Sequence, residues 1–138
     1  MDRKTILIGD ANARDREILA NLLTGADYEV LVAEDGSQVV STARSQQPAL
    51  VILNTSFPPD VANGGGAFED GFHVINWLAR LQETQATRFL LITDENAETL
   101  QGKAKATGAK GLCQKPIHPE TLLKVVQQIL NTAPLQPH

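Results

Sequence analysis

Short apolar runs alternate five times along the chain with segments of helical periodicity, and this order restricts the fold more than any other feature. Most positions in the first four runs are aliphatic or β-branched, a pattern typical of strands that are buried on both faces. The predicted strands cover residues 5–8, 29–33, 50–53, 89–92 and 111–114. Strands that alternate with helices in this way indicate an α/β fold with a parallel sheet and helices on both of its faces.

The segments between these runs carry apolar residues at helical spacing. The predicted helices cover residues 13–23, 36–46, 72–81, 96–106 and 119–130. Ile18 contributes to the apolar stripe of the first helix, and we expect Phe72 and Trp77 in the third helix to pack on the helix face. Pro119 begins the last helix, where proline is favoured because the first helical N–H has no partner within the helix.

Polar residues lie directly after four of the strands. They are Asp10, Asn54, Thr93 and Lys115. Right-handed crossovers bring the carboxyl ends of all parallel strands to one edge of the sheet, and ligands of such sheets bind in the crevice outside that edge. The chain order therefore predicts a functional pocket at that edge, surrounded by the residues that come just after the strands. These are residues 9–11, 54–57, 93–94 and 115–116.

Composition and charge exclude several classes of function. The chain has 138 residues, which fits one domain, and its formal net charge of −4 is unfavourable for binding the phosphates of nucleic acids. The lone Cys113 excludes an internal disulfide, and no apolar stretch approaches the about 18 residues of a membrane span. We expect a cytoplasmic protein without nucleic-acid or membrane partners, with one domain over residues 1–131 and a tail or linker over residues 132–138.

Three dipeptide motifs accompany the polar residues at the strand ends. They are Asp70-Gly71, Gly108-Ala109 and Lys115-Pro116. In this order the motifs resemble the receiver domain of two-component response regulators, over residues 4–130. The resemblance implies a flavodoxin-like, doubly wound (βα)5 fold whose five-stranded parallel sheet has the strand order 2-1-3-4-5.

The resemblance also implies a phosphoryl-transfer pocket at the sheet edge. In a conventional receiver, an aspartate at the end of the third strand accepts a phosphoryl group from a kinase histidine. That aspartate, an acidic pair after the first strand and a backbone carbonyl hold Mg²⁺, while a hydroxyl and a lysine bind the phosphoryl oxygens. By position, Asn54 stands where the acceptor would be, and Ser56 supplies the carbonyl. Thr93 matches the hydroxyl, and Lys115 matches the lysine.

Three further positions depart from the pattern that the resemblance implies. Ala11 leaves the acidic pair incomplete, Asp94 replaces a small residue, and Leu112 replaces the aromatic switch residue. Because Asp10 is then the one remaining metal carboxylate, we expect weak or no Mg²⁺ binding and no other cofactor. A metal site formed jointly by Asp10 and Asp94 is the alternative.

The retained pocket residues favour a closed arrangement. We expect Asp10 to form a salt bridge with Lys115, and the Asn54 amide either to donate to Asp10 or to accept from Lys115. The Thr93 hydroxyl either caps the next helix or retains a contact to an anion. Cys113, in a short apolar strand, is interpreted as an inert buried thiol.

An insertion over residues 59–69 separates the third strand from the third helix and contains three consecutive glycines. One interpretation is a tolerated surface insertion. A second is a partner-binding loop in which Val61 and Phe68 are apolar anchors. A third is a loop that covers the pocket or supplies substitute acids, namely Asp60, Glu69 or Asp70.

These residues predict a signalling domain that is not an enzyme and is not phosphorylated in the usual way. It would act as a phosphorylation-independent interaction module whose partner is an output domain, a kinase or another receiver. A homodimer through the face spanning residues 96–130, from Asn96 to Leu130, is one such assembly. The alternatives are a phosphoacceptor that uses a substitute carboxylate with Mg²⁺, and a domain that senses a small ligand or anion.

Overall fold

The predicted α/β fold is confirmed by a computed structural model, which describes residues 3–56 and 70–131. Five parallel strands form one sheet in the order β2-β1-β3-β4-β5. The strands are β1 (Thr5–Gly9), β2 (Glu29–Ala33), β3 (Leu50–Asn54), β4 (Arg88–Thr93) and β5 (Gly111–Gln114). Since every strand is parallel to its neighbours, all five carboxyl ends lie at one edge of the sheet.

Five helices cover the two faces of this sheet. They are α1 (Ala13–Gly25), α2 (Gly36–Gln46), α3 (Gly71–Leu78), α4 (Ala97–Thr107) and α5 (Pro119–Asn131). Buried side chains of α2, α3 and α4 form one hydrophobic cluster with the sheet, and those of α1 and α5 form a second on the opposite face. This is the doubly wound arrangement that places ligand chemistry at the carboxyl edge.

The core sits on both faces of the three central strands, β1, β3 and β4. Leu7, Val51 and Leu91 point into one cluster, and Ile6 and Ile52 point into the other. Each of these side chains is fully buried. Burial of a large aliphatic side chain stabilises a fold by about 1.5–3 kcal/mol, so the strands that carry the pocket residues belong to the most rigid part of the molecule.

Polar side chains cap the helices that begin at this edge. Asn12, Asp35, Asp70 and Asn96 each accept a hydrogen bond from a backbone N–H in the first turn of the helix that follows. Such caps satisfy donors that have no partner within the helix, and each typically stabilises its helix by about 1 kcal/mol. The caps therefore fix where α1 to α4 leave the pocket edge.

The third helix ends earlier than its apolar pattern predicts. It was expected to reach residue 81 but ends at Leu78, and the chain continues into a 3-10 turn over Gln82–Thr84. The hydroxyl of Thr84 donates to the Leu78 carbonyl, which lies in the last turn and therefore has no N–H partner within the helix.

Two hydrophobic residues that were predicted to pack are largely exposed. The exposed fraction is 55% for Ile18 and 47% for Trp77, whereas Phe72 is buried as expected. Leu19 and Leu23 already occupy the sheet-facing side of α1, so Ile18 lies to one side of it. In the same way, Leu78 takes the inward position of α3 beside Trp77.

None of the helices within residues 3–56 and 70–131 is long and apolar enough to cross a membrane. The insertion over residues 59–69, with Asp60 and Phe68, and the predicted tail over residues 132–138 lie outside the described residues.

Candidate functional site

The sheet topology brings the four predicted pocket residues to one edge. Asp10 follows β1, Asn54 ends β3, Thr93 ends β4 and Lys115 follows β5. Asp10, Asn54 and Thr93 are buried, with at most 4% of each exposed. Three of the four side chains join in one hydrogen-bonded cluster, whereas that of Thr93 bonds to a different neighbour.

The Asp10 carboxylate is the centre of the cluster. Its Oδ1 atom accepts hydrogen bonds from the backbone N–H of Asn12 at 3.0 Å and from the side-chain amide of Asn54 at 3.2 Å. Its Oδ2 atom accepts from Nζ of Lys115 at 2.7 Å, so the predicted salt bridge is present. A buried carboxylate requires such partners, because an unpaired charge out of water is strongly unfavourable.

Lys115 has a second carboxylate partner that the sequence reasoning missed. Its Nζ atom lies 2.8 Å from Oδ2 of Asp15, in the first turn of α1, and 4.0 Å from Oδ1 of Asp94. Burial is the largest single influence and lowers the pKa of Lys115. The hydrogen bonds to Asp10 and Asp15 and the negative charges of Asp10 and Asp94 outweigh it, so the pKa lies above its ordinary value.

Asn54 uses both ends of its side chain inside the protein. Its amide nitrogen donates to Asp10, and its Oδ1 atom accepts from the backbone N–H of Ser56 at 3.3 Å. An ionised carboxylate has no proton to donate, so only the amide end of Asn54 can face Asp10. Of the two arrangements that the sequence left open, the structure contains donation to Asp10.

The Thr93 hydroxyl belongs to the turn between β4 and α4. It accepts hydrogen bonds from the hydroxyl of Thr55 at 2.8 Å and from the backbone N–H of Glu95 at 3.0 Å. The carbonyl of Thr93 also accepts from the Lys115 N–H at 2.7 Å, which ties β4 to the chain after β5. The Thr93 hydroxyl therefore caps the turn before α4 and not the helix itself, whose N-cap is Asn96.

Arg16 holds the loop that carries Asp10. Its guanidinium donates to the Asp10 carbonyl at 2.8 Å and lies 3.3 Å from the Glu34 carboxylate, after β2. On the far side of the pocket, the peptide bond between Lys115 and Pro116 is cis. The contacts of Arg16 thus define the position of the loop that carries Asp10.

Three further positions are those at which the resemblance implies a departure from conventional receivers. Ala11 is exposed and has no side-chain donor or acceptor. The Asp94 side chain is 65% exposed, and Leu112 is partly buried against the cluster that α2, α3 and α4 share. Asp70 caps α3 by accepting from the His73 N–H at 2.9 Å.

The donor set of the pocket does not fit a divalent cation. Both oxygens of Asp10 already accept hydrogen bonds, Ala11 offers no ligand, and the Asn54 oxygen accepts from the backbone. Mg²⁺ demands near-octahedral oxygen ligands and is usually held by one or two carboxylates. Within the described ranges, no three histidine, cysteine, aspartate or glutamate residues are grouped so that they could hold a metal ion.

Asp15 is the pocket residue that sequence reasoning did not find. Attention to strand ends alone omits Asp15, because it enters the pocket from a helix. One signal was available: Asn12 is a good N-cap, and the side chain of a helix's third residue lies close to its cap. Thr55, by contrast, lies among the residues after the third strand that the chain order had indicated.

These observations agree with a comparison to family models. The model of the response regulator receiver domain matches residues 6–127. The chain belongs to this family. As a receiver domain it is a signalling module of two-component systems, a class of domain that interacts with kinases and output domains.

Relatives of this receiver domain cover nearly its whole length. It is 30% identical to protein PilH of Pseudomonas aeruginosa over 125 residues, which are 91% of this chain and 96% of PilH. The structure of chemotaxis protein CheY4 from Vibrio cholerae has 26% identity and a TM-score of 0.81, covering 93% of this chain and 99% of that one. A response regulator from Burkholderia multivorans has 30% identity and a TM-score of 0.71, covering 96% and 98%.

Proposed function

We propose that this receiver domain signals through protein contacts without accepting a phosphoryl group and without catalysing a reaction. The observation that carries the proposal is Asn54, whose buried amide occupies the acceptor position and donates to Asp10 at 3.2 Å. An amide has no ionised oxygen that could form an acyl phosphate. The proposal therefore assigns the pocket a structural role in holding the sheet edge closed.

The charges around Lys115 support the same function. The ammonium that would bind a phosphoryl oxygen is 12% exposed and already contacts two carboxylates, those of Asp10 and Asp15. Asp94 adds a third negative charge at 4.0 Å. An incoming dianion would meet net negative charge here, and like charges at this range repel.

Incubation with acetyl phosphate and Mg²⁺, followed by intact-mass measurement, tests the proposal. We expect no phosphate adduct on the unmodified chain. A receiver domain that retains the acceptor aspartate serves as the positive control. A stable adduct would contradict the proposal and would favour a substitute carboxylate as acceptor.

The face formed by α4, β5 and α5 is the proposed contact surface. β5 is an edge strand of the sheet, and the Gln114 side chain at its end accepts from the Ala97 N–H at 2.8 Å, which joins the strand to α4. Ala104 is the buried residue of α4, so the rest of the helix is at least partly accessible. A rigid, accessible face of this kind suits a second copy of the domain or an output domain.

Sedimentation velocity over a range of protein concentrations tests the homodimer. We expect association that weakens when the exposed Ala106 in α4 is replaced by arginine. Ser41→Arg is the matched control, because Ser41 is also exposed but lies on α2, which packs on α3 rather than on α4. A monomer at every concentration would contradict the homodimer.

A further inference from the structure

We infer that the Asp15 carboxylate acts as an internal anion. It binds the Lys115 ammonium at the place that a phosphoryl oxygen would take, and it thereby keeps other anions out of the pocket. The inference rests on the proposed function and names the residue that enforces it. Phosphorylation is then blocked in two independent ways: Asn54 replaces the acceptor carboxylate, and Asp15 occupies the Lys115 ammonium.

Asp15 is fixed in position by the start of α1. Its backbone N–H donates to the side chain of the N-cap residue Asn12 at 3.0 Å. From there its carboxylate reaches Nζ of Lys115 at 2.8 Å, across 100 residues of sequence. Because the cap sets the direction of the first turn, the contact does not depend on a flexible loop.

The exposed fractions of the two carboxylates show which one faces incoming ligands. The Asp10 side chain is 1% exposed and lies beneath Lys115, whereas the Asp15 side chain is 35% exposed and lies at the mouth. An anion that approaches Lys115 from solvent therefore has to displace Asp15 rather than Asp10. An incoming anion therefore competes with a charge-assisted hydrogen bond that Lys115 already makes within the protein.

The contact between Asp15 and Lys115 persists when the acceptor is restored. The double substitution Asn54→Asp with Ala11→Asp supplies an acceptor carboxylate and the missing metal ligand, but it leaves Asp15 on Lys115. In the transfer from acetyl phosphate, an oxygen of the carboxylate introduced at position 54 forms the new bond to phosphorus as acetate leaves with its electron pair. Release of Lys115 from Asp15 leaves the ammonium free to turn to the transferred group and neutralise it.

Three proteins separate the two blocks. The first carries the double substitution, the second adds Asp15→Asn, and the third adds Glu17→Gln instead. Glu17 lies on the same helix, is exposed and loses the same charge, so it controls for net charge. The rate of phosphoryl uptake from acetyl phosphate with Mg²⁺ is followed by intact mass, and thermal unfolding confirms that each protein is folded.

We expect the protein with Asp15→Asn to take up phosphoryl groups at least about tenfold faster than the other two, a factor that corresponds to about 1.4 kcal/mol. Equal rates in all three folded proteins would overturn the inference, as would no uptake by any of them. The single variant Asp15→Asn in the unmodified background is expected to stay unphosphorylated. An adduct on that variant would instead count against the proposed function, since Asn54 is still present there.

Discussion

The Lys115 ammonium and the Asp10 carboxylate lie 2.7 Å apart and join two strands that are not neighbours in the sheet. Asp10 follows β1 and Lys115 follows β5, and β3 and β4 lie between those strands. The pair links residues that are 105 positions apart in the sequence. Because Asp10 is almost completely buried, the ammonium is the counter-charge that makes its ionised form tolerable.

Replacement of Lys115 by methionine is expected to lower the free energy of unfolding by about 3–5 kcal/mol. The substitution keeps most of the aliphatic side chain but leaves Asp10 as a buried charge without a cation, which costs about this much in proteins. Urea unfolding measures the change. Arg44→Met is the matched control, because the Arg44–Glu83 pair at 3.3 Å is exposed and such pairs contribute at most about 1 kcal/mol. Equal losses in the two variants would contradict the assignment of Lys115.

The contribution of Lys115 is expected to disappear in alkali. Its pKa is higher in the folded protein than in the unfolded chain, so its stabilising effect is complete below the unfolded value of about 10.4 and is lost as the pH rises through the folded value. Across that window the free energy of unfolding should fall by up to about 1.4 kcal/mol per pH unit.

Urea titrations of the unmodified chain and of Lys115→Met at increasing pH isolate this effect. Burial also raises the pKa values of Tyr28 and Cys113, which weakens the fold in alkali as well, but both groups are present in both proteins. The stability difference between the two proteins should therefore narrow only above the ordinary lysine pKa. A difference that stays constant through that range would contradict the raised pKa.

The elements that depend on local pattern were predictable from the sequence. Continuous apolar runs identified all five strands, and the strand order followed from the family resemblance. The helical periodicity wrongly placed Ile18 and Trp77 among the packed residues, because it gives the direction of an apolar face but not its width. The third helix was extended too far because the hydrogen bond from Thr84 that ends it comes from outside the helix.

The pocket was predictable only where its residues follow strands. Asp10, Asn54, Thr93 and Lys115 were found in this way, as was the salt bridge between the first and last of them. Asp15 was not found, because its side chain comes from a helix. Whether that side chain reaches the sheet edge depends on where the helix begins in three dimensions. The arrangement of the Asn54 amide likewise needed coordinates, since its two ends allow opposite partners.

Substitution of Gly71 by alanine is expected to destabilise the domain by about 1–3 kcal/mol, the usual cost of overpacking a dense interior. A Cβ atom at Gly71 would lie 2.5 Å from the Asn54 carbonyl oxygen and 3.3 Å from Leu91, so β3 and α3 would have to move apart. Gly102→Ala is the control: its Cβ would meet nothing within 4 Å, and alanine is favoured over glycine inside a helix by about 0.5–1 kcal/mol. Thermal unfolding should thus change in opposite directions for the two variants, and loss of stability in both would contradict the close contact at Asn54.

The single substitution Asn54→Asp is expected to destabilise the domain without metal, on the order of 1–3 kcal/mol, and to make its stability depend on Mg²⁺. The Asn54 amide donates to Asp10 at 3.2 Å, and a carboxylate in its place replaces that hydrogen bond with repulsion between like charges. Lys115 already faces the carboxylates of Asp10, Asp15 and Asp94, so its one ammonium cannot also neutralise a new carboxylate beside Asp10. A divalent cation that binds the folded form relieves the repulsion and raises the melting temperature as its concentration increases.

Melting curves with and without Mg²⁺ measure both the loss of stability and its recovery. Asn76→Asp, on the exposed side of α3, is the control that should show neither effect. If Mg²⁺ raised the melting temperature of the unmodified chain as much as that of the Asn54→Asp variant, the pocket would already hold the cation. Its closure by Asn54 and Lys115 would then be refuted.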